Sequence, residues 1–213
     1  MLTLRGGGCV PGMAATRLTG EDGRIGRRVI QGAAVLYVFG FEQFAVVVGD
    51  LYFVDPNPHP GQEGAEHGVR LEVRLLRQGE LKGSMYSARP IEVGQPVWRA
   101  DLLEAVDGPP GSLNRAHHHP GFHGWEPGKR VFDENLSADP VGWVGEQLSD
   151  LEALAGRAGV PAGAALTADA ESVRGSVGDI KAAVRVLLDK IKAGELAAAP
   201  DGGQLTSARI SWL

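Results

Sequence analysis

The chain has 213 residues, 43% apolar and 22% charged, a composition that excludes wholesale disorder and fibrous repeats and suits one domain with an appendage or two small ones. Its net charge of −5, from 21 basic and 26 acidic side chains, offers no general attraction for phosphate backbones or anionic lipid. The expected partner is therefore a small molecule or a protein, with nucleic acid disfavoured and no membrane, and any metal in a chain of this size would serve function rather than hold the fold together.

Residues 1–28 mix Gly, Arg and Thr without a period and read as a flexible leader. They lack the apolar core of a secretory signal, and the single cysteine, Cys9, has no internal partner for a disulfide, so the expected location is cytoplasmic, with Met13 as an alternative start. The apolar stretch Val29 to Val54 is long enough to cross a bilayer, but Gln31, Glu42, Gln43 and Asp50 interrupt it and β-branched and aromatic residues dominate it. It reads as three strands, Val29–Phe39, Phe44–Val48 and Leu51–Val54, the last two joined by a Gly49-Asp50 hairpin turn. Alternate prolines at 56, 58 and 60 then force a loop to about Gly68.

From Val69 the apolar residues Val69, Leu71, Val73 and Leu75 alternate with Arg70, Glu72 and Arg74, the pattern of a strand with one wet face. Gln78-Gly79 offers a turn into a further strand at Glu80–Ala88, and Val97–Val106 fits either a strand or a short helix. The connections are too short for crossover helices, so the fold class is α+β: a mainly antiparallel β-sheet, then a long loop, then a C-terminal helical pair. The corresponding domains are the leader at 1–28, an antiparallel β domain with a His-rich loop at 29–136, and a helical hairpin with its tail at 137–213.

Ser137 to Asp139 supply cap residues and Pro140 a first-turn proline ahead of Val141, Val144, Leu148, Leu151 and Ala155. After a linker at 156–163, Leu166, Ala170, Val173, Val177, Ile180, Val184, Leu187 and Ile191 keep an unbroken heptad spacing. Gly175 and Gly178 weaken this second helix and leave Ser176 as an alternative start, capped with Asp179. Such seams pack helices within one chain first; the alternative is a non-enzymatic protein-interaction module, with oligomerisation through the C-terminal helices. The tail Gln204–Leu213 suits a last strand, with Trp212 docked on the body or on a partner, while Trp98, Trp143 and Tyr86 fall in periodic segments and read as core.

Four of the six histidines lie at His117, His118, His119 and His123, inside a loop expected from Asp107 to Leu136. An extended His117–His119 segment projects its first and third rings to one side, and a Pro120-Gly121 bend would return His123 towards them. The expected metal ligands are His117, His119 and His123, with Asp133 as the fourth group and Glu134 as its substitute. Imidazoles around an open position describe a divalent transition-metal site, zinc first, in which bound water reaches a pKa of about 7 and becomes a nucleophile for hydrolysis. The run matches no established zinc motif such as His-Glu-x-x-His. A second enzyme reading dispenses with metal and uses one histidine as acid, another as base, and Arg115 or Arg130 to neutralise an anion, as a small nuclease could. His59 and His67 lie in the earlier loop. In a simple meander the two loops sit at opposite sheet ends; a helical Val97–Val106, or a crossover between Pro90 and Pro96, would let them meet and the six histidines form one site.

Overall fold

The computed structural model describes residues 34–199 and 205–213. The leader, Cys9, Met13 and the start of the first expected strand lie outside the described residues. In chain order the elements are β1 (Leu36–Gly40), β2 (Phe44–Val54), β3 (Ala65–Gln78), β4 (Ile91–Ala105), β5 (His117–His119), β6 (Phe122–His123), β7 (Glu126–Pro127), α1 (Glu134–Ala138), α2 (Pro140–Ser149), α3 (Leu151–Arg157), α4 (Ala164–Lys192) and β8 (Ala208–Ser211). The sheet runs β1-β2-β3-β4-β5, all antiparallel, with β8 beside β1 on the free edge of β2, and β6 pairs with β7 in a separate hairpin. This is the α+β architecture that pattern and spacing indicate, and among the described residues no helix is long and apolar enough to cross a membrane.

Within the sheet two local expectations fail. Gly49-Asp50 is no turn: β2 runs straight through it, with Gly49 paired to Leu36 on one side and Arg70 on the other. The Asp50 carboxylate instead accepts the Val35 amide at 2.7 Å, so the polar residue is satisfied inside the strand. The real turn is at residues 41–43. The amides of Glu42 and Gln43 in this turn, and of Phe44 at the start of β2, donate to the buried Asp169 carboxylate at 2.8–3.0 Å.

Glu80–Ala88 is no strand either. Gln78 pairs with Ile91, and the Gly79 amide donates to the Pro90 carbonyl at 2.8 Å, which closes β3 onto β4 and leaves the residues between as an irregular tip. Tyr86 on that tip is 90% exposed rather than core, whereas Trp98 and Trp143 are buried as expected. With one strand fewer, the parity of the meander changes, and Val97–Val106 belongs to a long strand. The loops after β2 and after β4 therefore share one end of the sheet: the Val106 amide donates to the Ala65 carbonyl at 2.9 Å, and Arg115 donates to the Gly61 carbonyl.

One face of the sheet carries Val46, Val48, Val69, Leu71, Trp98 and Leu102, and the helices bury it in a single apolar core. Asp139 caps α2 by accepting the Gly142 amide at 2.9 Å, with Pro140 in the first turn as the sequence indicates. The expected single helix over 141–155 is two: Asp150 leaves helical geometry and its carboxylate accepts the Ala153 amide, which starts α3. By contrast α4 begins at Ala164, not Ser176, and runs unbroken through Gly175 and Gly178. Burial of Leu166, Ala170 and Val173 against the core outweighs a glycine cost of about 1 kcal/mol each. The Ser176 hydroxyl donates back to the Ser172 carbonyl rather than capping anything. The heptad seam is thus engaged by the chain's own sheet and by α2 and α3. The tail does add a strand, and the exposed Trp212 indole donates to the Ala34 carbonyl at 2.9 Å.

Candidate metal centre

The other face of the sheet is polar and largely buried over β3, β4 and β5, while Ala45 and Val47 of β2 pack there with Leu213 in a small apolar cluster. The charges of the strand read as half-solvated do not face water: Arg70 and Glu72 are buried at 7% and 2% exposure. Register explains what they face. Arg70 pairs with Asp101 and Asp101 with His117, so these three form one row across β3, β4 and β5. Glu72 pairs with Arg99 and Arg99 with His119, which forms the next row. Paired residues point to the same side of a sheet, so acids, arginines and imidazoles alternate over two adjacent rows.

Asp101 sits at the centre. Its Oδ1 accepts from Arg70 Nε at 2.6 Å, and its Oδ2 lies 3.0 Å from Arg99 Nε, 3.4 Å from His117 Nε2 and 3.7 Å from His119 Nε2. One donor atom from each of Asp101, His117 and His119 lies within 4.8 Å of the other two, and all three residues are buried. Burial alone would raise the Asp101 carboxyl, but Arg70 and Arg99 overcome it and hold the group well below the usual carboxylate range.

The tautomers follow from the outer partners of each ring. His117 Nδ1 is 2.8 Å from the Arg115 carbonyl and His119 Nδ1 is 2.7 Å from the Gly128 carbonyl. A carbonyl only accepts, so both Nδ1 atoms carry hydrogen and both rings turn their Nε2 towards Asp101. Burial, with the Arg99 charge beside it, depresses the His119 pKa to about 4, which keeps that ring neutral. Arg99 Nη2 donates to His119 Nε2 at 2.9 Å, so in this arrangement a guanidinium uses the lone pair a metal would need. Glu72 stands 3.8 Å from Arg99 as an alternative anionic partner.

Of the residues expected as ligands, the fold brings His117 and His119 together and leaves the others apart. His123 is exposed on the β6–β7 hairpin, paired with Glu126. Asp133 caps α1 through the Asn135 amide at 2.8 Å and accepts the Trp143 indole at 3.2 Å; Glu134 is exposed in the first turn of that helix. His118 faces the helix side, 4.9 Å from Trp143 between ring centroids, as the alternation requires. The two loops meet, but the six histidines do not: His59 is exposed, and His67 pairs with Glu104 at 3.4 Å on the face opposite Asp101. Asp101 is the residue that sequence reasoning missed. Its signal is present, because Arg99 and Asp101 alternate with the apolar Trp98, Ala100 and Leu102 as Arg70 and Glu72 do with Val69 and Leu71.

Around the cluster the polar face and the β6–β7 hairpin enclose a cavity of about 470 Å³. Phe122 and Trp125 from the hairpin form its aromatic side: the Arg99 guanidinium lies 5.6 Å from the Phe122 ring centroid, and that of Arg74 lies 5.8 Å from the Trp125 ring. No protein-family model, curated protein or solved structure matches the chain, so the chemistry of this cavity rests on its own geometry.

Proposed function

We propose that Asp101, His117 and His119 bind a divalent transition metal, zinc first, at the floor of a small-molecule cavity where the metal assists hydrolysis. The observation that carries this reading is the pair of Nδ1–H bonds to the Arg115 and Gly128 carbonyls, which turn both Nε2 atoms inward on one carboxylate. Outer hydrogen bonds of this kind orient metal-binding imidazoles and fix their tautomer. Two imidazoles and a carboxylate leave positions open on the metal, as hydrolytic sites require, and the cavity of about 470 Å³ adjoins them. Binding requires Arg99 to release His119, and Glu72 is placed to receive it.

Elemental analysis of untagged protein tests the proposal. Near-stoichiometric zinc, manganese or iron is expected, retained on dialysis, lost with a chelator, and absent from the His117→Ala/His119→Ala double variant. Protein that stays free of metal after incubation with zinc and dialysis counts against it. The same result favours the metal-independent reading, for which the Arg99–His119 contact at 2.9 Å speaks directly. His117 would then serve as the proton carrier, with Arg70 and Arg99 neutralising charge.

A further inference from the structure

The charge balance of the cavity points to the ligand. Five arginines and four carboxylates line it, so cations exceed anions before any metal enters. The buried carboxylates are already matched: Asp101 by Arg70 and Arg99, and Glu72 by Arg74 at 2.6 Å. Glu66 is 3.9 Å from Arg115, a cation beyond the five that line the cavity. A dication held by one carboxylate and two neutral imidazoles would leave this low-dielectric space in clear positive excess, and such an excess is relieved by an anionic ligand.

Arg209 stands apart from these pairs. It comes from the tail strand β8, where its register partner Phe53 places it on the cavity side of the sheet. Its Nε donates to the Leu213 main-chain oxygen at 3.1 Å, and among the described residues its two terminal amino groups make no hydrogen bond or ion pair, so they remain for a ligand. Arg130, also at the cavity, is held by Gln62 Oε1 at 2.6 Å and lies 3.8 Å from Asp55. Phe122 and the 63% exposed Trp125 also line the cavity, with the guanidiniums of Arg99 and Arg74 over their rings, so cationic and aromatic surface adjoin there. A volume of about 470 Å³ fits a small molecule rather than a polymer.

We infer that the cavity binds a small organic anion, a carboxylate or phosphate monoester bearing a planar apolar group, with the anion facing Arg209 and the metal-side floor and the planar group against Phe122 and Trp125. The inference rests on the proposed metal centre for its reacting end, while Arg209 and the aromatic pair act without it. Calorimetric titrations of the full chain, zinc-loaded and chelator-treated, with phenyl phosphate, benzoate, inorganic phosphate and benzyl alcohol provide the test. At least one aromatic anion is expected to bind tenfold or more tightly than benzyl alcohol in both preparations, with the tighter of the two naming the anionic group. Arg209→Gln should weaken that binding at least fivefold and Arg209→Lys less, with metal content unchanged in both. Benzyl alcohol binding equally well, inorganic phosphate matching phenyl phosphate, or an unchanged affinity in a folded Arg209→Gln variant each overturns the inference. Metal content is measured separately, so metal without anion binding defeats this inference alone, and anion binding without metal defeats the metal centre alone.

Discussion

Asp101 receives two guanidiniums and faces two imidazoles, at 1% exposure. Replacing it with asparagine leaves Arg70 buried without its counter-charge and Arg99 with only Glu72 at 3.8 Å, and losing one partner of a buried pair costs about 3 kcal/mol or more. Asp101→Asn is therefore expected to lower the urea midpoint substantially and also to weaken zinc binding at least tenfold; a stable variant with unchanged zinc affinity would contradict both parts. His119 supplies the pH dependence of the metal-free protein. Its ordinary pKa is 6.5 and its folded pKa about 4, so between these values the unfolded chain holds the proton and the folded one does not. The stability it contributes is complete above pH 6.5 and is lost as pH falls towards about 4. Asp101, held well below 3.8, extends the loss to still lower pH, whereas Glu66, raised above 4.5, acts in the opposite sense. Urea titrations of chelator-treated protein at pH 7.5, 5.5 and 4.5 should show falling stability; a flat profile would not fit.

Among the elements, β3 and β4 bear the site, and their approach depends on Gly68. A Cβ built there, at φ +156°, would lie 2.1 Å from the Leu102 carbonyl oxygen, so the strands could not keep their spacing. Gly68→Ala is expected to cost about 2–3 kcal/mol by overpacking, and to disturb the adjacent row of Arg70, Asp101 and His117. Both effects are readable as a lower melting temperature and lower metal content. Helix α4 holds the β1–β2 turn through Asp169, whose 2% exposed carboxylate accepts three amides. Asp169→Ala strands those amides without acceptors and should cost about 3 kcal/mol, with Asp169→Asn milder because one oxygen remains. Nothing local marked Asp169: it lies one residue from the heptad seam, and its partners are amides that no side-chain pattern reveals. The misplaced strand at 80–88 and the misplaced turn at Gly49 have a related origin. Turn-forming residues were present at both, but pairing along β2, β3 and β4 decided where the chain reversed.

Over the whole molecule, sheet and helices share one core, and Leu187 of α4 is fully buried in it. Leu187→Ala should destabilise by about 3 kcal/mol, and sheet and helix signals should melt in one transition. A chain cut before Pro161 should lose the sheet as well as α4; light scattering and circular dichroism of that fragment check this, and an intact sheet would show the two parts to be independent. The period-two pattern of β3, the heptad run of α4, the Asp139-Pro140 helix start and the parallel projection of His117 and His119 were all legible from residue order, because each depends on neighbours a few positions apart. Polar and apolar residues alternate identically whether the polar face meets water or a second wall, so the burial of Arg70 and Glu72 was not. Which carboxylate meets the histidines was hidden for the same reason: strand register brings Asp101 beside His117, and the loss of one expected strand brings the two loops to the same end. Residue order determines which side of a strand a group occupies, and long-range pairing determines what stands opposite it.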